Sequence, residues 1–517
     1  MNPEDPRILR LRAMRNKAHQ GGGEARIARQ HAKGKWTARE RVERLLDPRT
    51  FHELEPFVID QRSECDIEAE EYLGEGVVAG YGEVDGRTVY VYAQDFTVHG
   101  GTLSEMHSRK ICQVMDLAAS SGHPIIGLID SGGARIQQGV KTLGGYAQIF
   151  RRNAQYSGIV PQISVIMGPC VGGAAYSPAL TDVIIMVERQ AFMFLTAPEV
   201  IKAVAGEEVG LEDLGGAEVH TELSGTAHLS APSEEAALHL CRQVLSYLPS
   251  NHLEDPPESP GGDVPDRLAD ELNSIVPLES NRPYSMHDVI ERIFDRGSLL
   301  ELQPAWAQNV ITSLARLDGH TVGVVAQEPS AMAGVLDIDA ADKIARFVRL
   351  CDCFNIPLLT FVDSPGFLPG VAQEHHGVIR HAAKILYAYS EASVPKISVV
   401  TRRAYGGAYI AMSSKHLGAD LSYAWPSAEV AVMAPEGAVS ILYREQLAQA
   451  QDPAAEEARL TELYRAQFNN PYHAASLGYF DDIIEPRETR PKLIAALRVL
   501  RHKYAPGLPR KHGNMPV

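Results

Sequence analysis

Two glycine turns are the positions at which this chain could hold a negatively charged oxygen. The first turn, Gly172-Gly173, follows the apolar run 163–167, and the second, Gly406-Gly407, lies in a similar context within residues 394–410. A glycine turn after a buried strand brings backbone N–H groups to the edge of a sheet with no side chains in the way. One Gly-Gly pair often only lets a helix pack closely on a strand. Two pairs in the same context favour two oxyanion sites, one for each of two carbonyl groups.

The side chains near these turns offer no evident catalytic base. The sequence has no Gly-x-Ser-x-Gly motif, and Ser177, which is followed by a proline, does not belong to a Ser-His-Asp arrangement. His375 and His376 are adjacent, so their side chains point apart, and no third metal ligand follows at a useful spacing. The sequence contains neither a P-loop nor a Rossmann fingerprint. What remains is chemistry on two carbonyl groups, performed by backbone dipoles without a metal.

The elements that position the two turns are themselves repeated. A β-hairpin pattern surrounds Asp85-Gly86 and recurs around Asp318-Gly319. After each hairpin come a helix, a strand that ends in Asp-Ser, a second helix and the glycine turn. Asp363 follows Asp130 by 233 positions, and the second glycines of the turns are 234 positions apart. This near-constant offset predicts a duplicated α/β domain.

A run rich in proline, glycine and acidic residues, 250–265, separates the two repeats. Such a composition does not build a packed element and is typical of a linker. We therefore predict an N-terminal domain at 1–258, a linker at 259–265 and a C-terminal domain at 266–517.

The composition restricts the class of protein. The chain has 517 residues, which favours two domains, and a formal net charge of −16, which argues against nucleic-acid binding. No apolar run of about 20 residues predicts a membrane span, and the first residues lack the apolar core of a signal peptide. The six cysteines form no CxxC pair, so we expect buried thiols in a reducing compartment. The predicted location is the cytoplasm.

A basic segment near the N-terminus, residues 26–41, carries six Arg and Lys side chains. We call this segment the basic arm. Thr37 and Glu40 are spaced as a capping box for the helix that follows. The arm is either a solvated helical segment or a cationic site for a phosphate-bearing ligand, because Arg and Lys donors match phosphate oxygens.

Several motifs in order along the chain carry a resemblance to one family. They are 21–27 (GGGEARI), 32–42 (AKGKWTARERV), 130–139 (DSGGARIQQG), 206–217, 362–370 (VDSPGFLPG), 404–409 (AYGGAY) and 424–433. With these motifs the chain resembles the carboxyltransferase (β) subunits of biotin-dependent acyl-CoA carboxylases, of the propionyl-CoA carboxylase, acetyl-CoA carboxylase and transcarboxylase type. The resemblance covers nearly the whole chain.

This resemblance implies two duplicated crotonase-like domains in a homohexamer built as a trimer of dimers. It implies that acyl-CoA binds the N-terminal domain and carboxybiotin the C-terminal domain of a neighbouring subunit. The biotin anion left after CO₂ release would remove the α-proton of the thioester, which accounts for the missing side-chain base. Gly172 and Gly173 would hold the thioester oxygen, and Gly407 and Ala408 the ureido oxygen of biotin. The implied substrate-binding residues are Gly132, Gly133, Ala134, Arg135, Gly366, Phe367, Gly406, Tyr409 and Ile410.

The same resemblance implies partners. The sequence contains no Met-Lys-Met biotin-attachment motif and no ATP-binding domain. Biotin would be carried by another chain, so we expect a biotin carboxylase and a biotin carboxyl carrier, fused in one α subunit. The resemblance also favours the interpretation that the basic arm contacts the phosphates of CoA.

Two positions depart from the family pattern. Propionyl-specific members usually have Asp where this chain has Ile410, three positions after Gly407, and Gly is common where this chain has Ala383. An apolar side chain at 410 would change the size and hydrogen bonding of the acyl pocket, or it would only pack. Acetyl-CoA and propionyl-CoA both remain candidate substrates. A methylcrotonyl type is disfavoured, because those relatives have Phe-Gly-Ala-Gly-Asn in place of residues 405–409.

Alternative functions remain open at this point. The chain could be a subunit of a biotin-dependent decarboxylase or transcarboxylase, with the same site working in the other direction. A crotonase-like hydrolase or isomerase would need a carboxylate or a Ser-His pair in the pocket. A catalytically silent subunit would tolerate a bulky residue at Gly172 or Gly407.

Overall fold

The computed structural model describes residues 5–59, 72–259, 263–277, 279, 282–505 and 507–516. The chain divides into two compact units, unit 1 (Met1–Glu254) and unit 2 (Asp255–Val517). This division lies four residues before the predicted end of the first domain. The predicted linker lies partly outside the described residues, at 260–262, and stays a prediction.

Unit 1 is built on one sheet, which has eight strands among the residues described. Its strands are β1 (His52–Glu53), β2 (Val77–Val84), β3 (Arg87–Gln94), β4 (Ile125–Ser131), β5 (Gln162–Val171), β6 (Val183–Val187), β7 (Phe192–Phe194) and β8 (Leu229–Ala231). Its helices are α1 (Pro6–His19), α2 (Glu24–His31), α3 (Ala38–Leu45), α4 (Glu105–Ser121), α5 (Val140–Tyr156), α6 (Gly173–Ala179), α7 (Pro198–Ala205), α8 (Leu211–Gly215) and α9 (Glu234–Tyr247). The strand order is β1-β2-β3-β4-β5-β6-β8, and β7 pairs with the far end of β5. The sheet is antiparallel from β1 to β3 and parallel from β3 onward.

Unit 2 repeats this design strand for strand. Its strands are β9 (Leu300–Glu301), β10 (Val310–Leu317), β11 (His320–Gln327), β12 (Leu358–Ser364), β13 (Lys396–Tyr405), β14 (Leu421–Ala424), β15 (Glu429–Ala431) and β16 (Asp482–Ile483). Its helices are α10 (Leu272–Ile275), α11 (Met286–Ile293), α12 (Ile338–Cys353), α13 (Val371–His375), α14 (Val378–Glu391), α15 (Gly406–Ala411), α16 (Pro435–Leu442), α17 (Arg444–Gln449), α18 (Pro453–Phe468), α19 (Pro471–Ser476) and α20 (Thr489–Leu500). The strand order is β9-β10-β11-β12-β13-β14-β16, with β15 paired to the far end of β13. The predicted duplication is therefore confirmed.

The hairpin turns form where the sequence predicts them. Asp85 and Gly86 both have positive φ, 51° and 75°, and Asp318 and Gly319 have 55° and 79°. Two consecutive positive φ angles define the type I′ turn, whose twist matches that of the flanking strands. The predicted capping box is also present, because Thr37 Oγ1 accepts from the Glu40 N–H while Glu40 accepts from the Thr37 N–H.

Buried strands between helices explain the apolar runs of the sequence. Every residue of β4, β6 and β12 is buried, as expected for parallel strands covered on both faces. Two lysines at matched positions are buried as well, Lys110 on α4 and Lys343 on α12. Each ammonium donates to strand or loop carbonyls, and Lys343 Nζ lies 2.8 Å from the carbonyl oxygens of Gln303, Trp306 and Val310. Burial lowers the pKa of each lysine to about 8.

The helices of the described ranges are all too short or too polar to cross a membrane. Four of the five described cysteines are buried and Cys353 is half-buried, while Cys65 lies outside the described residues.

Candidate active site

The first glycine turn lies where β5 meets α6. Strand β5 continues to Val171, four residues further than the apolar run 163–167, and Gly172 then adopts φ 61° before α6 begins at Gly173. The extension is needed because β7 pairs with the end of β5, a contact that the sequence pattern does not predict. The turn is thus held by the sheet on one side and by the helix on the other.

Three backbone N–H groups at this turn have different roles. The Gly172 N–H donates to the Phe194 carbonyl at 2.9 Å, so it is already used within the fold. The N–H groups of Gly173 and Ala174 lie in the first turn of α6, before the helix supplies acceptors, and Ala175 is the first to donate, to Gly172 O at 3.0 Å. The geometry therefore favours Gly173 and Ala174 as donors to a ligand, where the sequence predicts Gly172 and Gly173. The positive φ of Gly172 shapes the turn instead.

Tyr146 on α5 lies directly against this turn. A β-carbon built on Gly173 would be 2.8 Å from Cδ2 and 2.9 Å from Cε2 of the Tyr146 ring. The ring is buried and stacks on Phe150, with 5.8 Å between ring centroids. Burial raises the pKa of the Tyr146 hydroxyl well above its usual range, so the side chain stays neutral. Only glycine fits at 173 with the ring in this position.

The loop after β4 runs along the first turn. Leu103 N–H donates to Gly133 O at 2.9 Å and Arg135 N–H donates to Leu103 O at 3.0 Å, which fixes the loop on both sides of Ala134. A β-carbon on Gly133 would lie 2.8 Å from Val171 O, so this loop and the turn are in direct contact. Gly132 is exposed, and Ala134 is half-buried. The predicted site residues of unit 1 are therefore brought together.

Arg135 is held by contacts within unit 1. Its side chain is buried, forms an ion pair with the buried Glu75 and donates to Thr102 O at 3.3 Å. Glu75 has a φ of 54°, so the segment before β2 is shaped around this contact. Arg135 therefore fixes the loop from inside unit 1 through Glu75, a partner that the motif alone does not reveal. Its substrate-binding role stays a prediction.

The second glycine turn has the same layout in unit 2. Strand β13 ends at Tyr405, Gly406 has a φ of 56°, and α15 begins there. Gly407 is exposed, whereas Ala408 is buried. The N–H groups of Gly407 and Ala408 lie in the first turn of α15, so the predicted donor pair matches Gly173 and Ala174 of the first turn.

The surroundings of the second turn are more open. A β-carbon on Gly407 would lie 3.6 Å from the Phe367 ring, at ordinary van der Waals distance. Phe367 is fixed by its neighbours, because Leu336 N–H donates to Gly366 O at 3.0 Å and Leu368 N–H donates to Leu336 O at 2.7 Å. Gly366, Phe367 and the glycine turn of unit 2 are therefore neighbours.

Three further side chains flank the second turn in the chain. The Tyr405 hydroxyl donates to the Glu429 carboxylate, a contact that the first turn cannot form, because Val171 and Phe192 occupy the matched positions. Tyr409 is 9% exposed, stacks on Tyr479 and has a hydroxyl without a hydrogen-bond partner in the described part of the chain. Burial raises the pKa of Tyr409 to about 12. Ile410 is 49% exposed and stands on the accessible side of α15.

Comparison with known proteins assigns the chain to a family. The model of the carboxyl transferase domain matches residues 29–515. The chain belongs to the carboxyl transferase family. It is 56% identical over 517 residues to the propionyl-CoA carboxylase carboxyltransferase subunit of Haloferax mediterranei, and the alignment covers 100% of both chains. It is 53% identical over 501 residues to methylmalonyl-CoA decarboxylase subunit alpha of Veillonella parvula, covering 97% of each.

Among solved structures, this carboxyltransferase is similar to the transcarboxylase 12S structure with methylmalonyl-coenzyme A and methylmalonic acid bound. The TM-score is 0.97 at 47% identity, and the match covers 100% of this chain and 99% of the other. The predicted family, the crotonase-like α/β fold and the enzyme class are thereby confirmed.

Two buried aspartates underlie the two sites of the carboxyltransferase. Asp130 is the residue before the last of β4, and Asp363 holds the same position in β12. Both side chains are 0% exposed. Asp363 accepts from Arg402 Nε at 2.9 Å and from Arg403 Nε at 2.7 Å, and both arginines lie on β13 of the same sheet.

The basic arm provides the cations for Asp130. Lys35 Nζ lies 2.7 Å from Asp130 Oδ2, and Arg41 Nη1 lies 2.8 Å from the same oxygen. Arg41 also donates to Glu234 on α9, from Nη2 at 2.6 Å and from Nε at 3.0 Å. Burial alone would lower the pKa of Arg41, but Asp130 and Glu234 outweigh this effect and raise it. The expectation of a solvated arm is wrong for this part of the segment.

Three other cations of the arm line a small cavity. A cavity of about 190 Å³ is lined by Arg26, Arg29, Gln30, Lys33, Phe96 and Thr97. Arg26 stands over the Tyr72 ring, 5.2 Å from its centroid. This carboxyltransferase thus presents a small basic cavity on unit 1.

Sequence reasoning missed the residues that support the site. Glu75, Tyr146 and Glu234 belong to no motif, and each contacts a site element at least 27 positions away in the chain. His375 and His376 are exposed, and within the described ranges no group of three His, Cys, Asp or Glu side chains could hold a metal ion.

Proposed function

We propose that this carboxyltransferase moves a carboxyl group from carboxybiotin to the α-carbon of a short-chain acyl-CoA. The observation that carries the proposal is the pair of glycine turns in register, each with two N–H groups in the first turn of a helix. Relatives named propionyl-CoA carboxylase carboxyltransferase subunit and methylmalonyl-CoA decarboxylase subunit alpha support a short acyl-CoA as the substrate.

In unit 1, Gly173 and Ala174 would donate to the thioester oxygen as it gains enolate character. Removing one such fixed donor typically costs about 10²–10³ in rate. Gly172 shapes the turn, and the loop of Gly132, Gly133 and Ala134 forms its wall.

In unit 2, Gly407 and Ala408 would donate to the ureido oxygen of biotin. The residues present fit this group, because Gly407 is exposed and Phe367 does not crowd it. Even a β-carbon at 407 would be 3.6 Å from the Phe367 ring, an ordinary van der Waals contact. When bound, biotin supplies the carboxyl group and the base that removes the α-proton. Gly366, Gly406, Tyr409 and Ile410 would line the space beside it.

The basic cavity of the arm is the proposed site for the phosphates of CoA. Arg29 and Lys33 line it together with Arg26, so three cations face about 190 Å³ of space. Arg and Lys donors suit phosphate oxygens.

The proposal extends to the assembly. A homohexamer in which unit 1 of one copy faces unit 2 of a neighbouring copy is supported by the transcarboxylase 12S structure, which is described as a hexamer assembly. The proposed partners are a biotin carboxylase and a biotin carboxyl carrier, fused in an α subunit that carries the biotin. The cytoplasmic location stays a prediction.

The second candidate is a subunit of a biotin-dependent decarboxylase, which uses the same site in the opposite direction. The 53% identity to a methylmalonyl-CoA decarboxylase subunit favours keeping this candidate. A biotin carboxylase co-purifying with the chain would support carboxylation, and a membrane-bound partner without one would support decarboxylation.

The test of the proposed function is reconstitution. The purified chain alone is expected to fix no bicarbonate onto propionyl-CoA with ATP, and to gain this activity when a biotinylated α subunit is added. The measurement is incorporation of labelled bicarbonate into acid-stable product. ATP-dependent carboxylation by the isolated chain would contradict the proposal.

Ile410→Asp is expected to change the acyl preference of the reconstituted complex. Aspartate is smaller than isoleucine and can accept hydrogen bonds, so the pocket beside α15 gains room for a longer acyl group. We expect the ratio of kcat/KM for propionyl-CoA to that for acetyl-CoA to rise about ten-fold, the lower range for one methylene in a pocket. Ala383→Gly on α14 serves as the control and should leave the ratio unchanged. An unchanged ratio for Ile410→Asp would show that Ile410 only packs.

A further inference from the structure

The two units neutralise their matched buried aspartates from different parts of the chain. In unit 2 the cations are Arg402 and Arg403, which belong to the strand that leads into the glycine turn. In unit 1 the positions matched to these arginines, 234 residues earlier, are Gly168 and Pro169, which carry no charge. The cations for Asp130 come from the basic arm instead.

Gly168 makes room for the arm. A β-carbon at Gly168 would lie 2.0 Å from Asp130 Oδ1 and 2.4 Å from Lys35 Nζ. The Lys35 ammonium therefore occupies the space into which a side chain at 168 would extend. The cations of unit 2 therefore lie on a strand of its sheet, whereas those of unit 1 come from a segment outside the sheet.

That segment also lines the basic cavity. Lys33 lines the cavity, and Lys35 follows it by two positions. Lys35 Nζ lies 5.2 Å from the centroid of the Phe96 ring, which is itself part of the cavity wall. Gln30 joins the two places directly, because it lines the cavity and its Nε2 lies 3.3 Å from Asp130 Oδ2.

From Asp130 the contacts continue to the glycine turn. Ser131 follows Asp130 and accepts from the Gly133 N–H at 3.2 Å. Gly133 contacts Val171 O, one residue before Gly172. A shift of the arm would therefore reach the first turn through Asp130 and three residues of backbone.

We propose that the arm couples occupancy of its basic cavity by the nucleotide end of CoA to the geometry of the first glycine turn. Lys35 and Gln30 are the positioning residues, and they act through Asp130. The proposal rests on the proposed function in one respect, namely that unit 1 binds acyl-CoA. The arm would then do more than increase the affinity for CoA. Binding energy gained at the nucleotide, far from the reacting carbon, would improve the placement of the oxyanion donors.

The test measures amide hydrogen exchange of the full chain with and without saturating 3′,5′-ADP, which carries phosphates like those of CoA but no acyl group. We expect exchange to slow in two segments, 26–36 on the arm and 131–140 after β4, by about five-fold or more in each. Slower exchange on the arm alone would overturn the coupling and leave the CoA site intact. No change in either segment would overturn both the CoA site and the coupling.

Two variants separate the coupling from binding. With Lys35→Met, saturating 3′,5′-ADP should still slow exchange at 26–36 but no longer at 131–140. Lys33→Met is the matched control on the same arm. It should weaken binding of 3′,5′-ADP, but exchange should slow at both 26–36 and 131–140 once the ligand concentration is raised to saturation. Gln30→Leu provides a second uncoupling variant should Lys35→Met fold poorly. Retained slowing at 131–140 in both uncoupling variants would contradict the proposal.

A kinetic measurement on the reconstituted complex adds an independent readout. The wild-type kcat should fall when propionyl-CoA is replaced by propionyl-pantetheine, which lacks the nucleotide. Lys35→Met should lower kcat for propionyl-CoA to the pantetheine level while changing its KM little. A purely structural role of Lys35 would lower kcat for both thioesters by the same factor.

Discussion

Gly173→Ala is expected to reduce kcat/KM of the reconstituted complex by about 10²–10³-fold. The new β-carbon would lie 2.8–2.9 Å from two ring atoms of Tyr146, so the ring or the turn must move. The ring is buried and stacked on Phe150, so the turn is the part that yields. A displacement of about 1 Å is enough to misdirect the N–H groups of Gly173 and Ala174 and to cost about 10²-fold.

Gly407→Ala is the matched control for this prediction. Its β-carbon would be 3.6 Å from the Phe367 ring, an ordinary contact, so the second turn should keep its shape and lose less than about ten-fold in rate. The double variant Gly173→Ala/Tyr146→Leu should recover part of the activity, because the smaller side chain makes room. Equal losses at Gly173 and Gly407, or no recovery in the double variant, would contradict the steric explanation.

The sequence predicts the frame of this site well because its signals are local. Asp85-Gly86 determines a type I′ turn within four residues, and the Gly-Gly pairs mark helix starts after apolar runs. Because the domain is duplicated, the pattern of each element occurs twice at a nearly constant offset, and the two occurrences support each other. The fold class and the two turns follow from such short-range patterns.

The parts that the sequence does not predict depend on contacts far apart in the chain. The short strand β7 takes the Gly172 N–H, and this changes which amides remain available to a ligand. Three residues, Phe192–Phe194, give too weak a pattern to be recognised as a strand. The motif around Arg135 does not predict its ion pair with Glu75, because Glu75 lies 60 positions earlier in the chain. Neither fact has a local signal.

The asymmetry between the units is the clearest example. Asp130 and Asp363 have the same sequence context, so the duplication predicts equal surroundings. Their cations differ because the arm packs into unit 1 beside Gly168. Composition only shows that the arm is basic, and the burial of Lys35 and Arg41 appears once the segment is placed in the fold.

Arg41→Met is expected to lower the free energy of unfolding of unit 1 by about 3–5 kcal/mol. The guanidinium is 0% exposed and joins two buried carboxylates, Asp130 at 2.8 Å and Glu234 at 2.6 Å. Methionine fills part of the space but leaves one uncompensated negative charge, since Lys35 remains as the single nearby cation of this cluster. For a unit of about 250 residues, the melting temperature should fall by about 6–20 °C, measured by calorimetry.

The matched control lies on the same helix. Arg44 on α3 is exposed and stands over the Trp36 ring, 4.1 Å from its centroid, so Arg44→Met should cost no more than about 1 kcal/mol. A loss for Arg44→Met as large as that for Arg41→Met would show that the loss comes from packing on α3 and not from the buried ion pairs of Arg41 with Asp130 and Glu234.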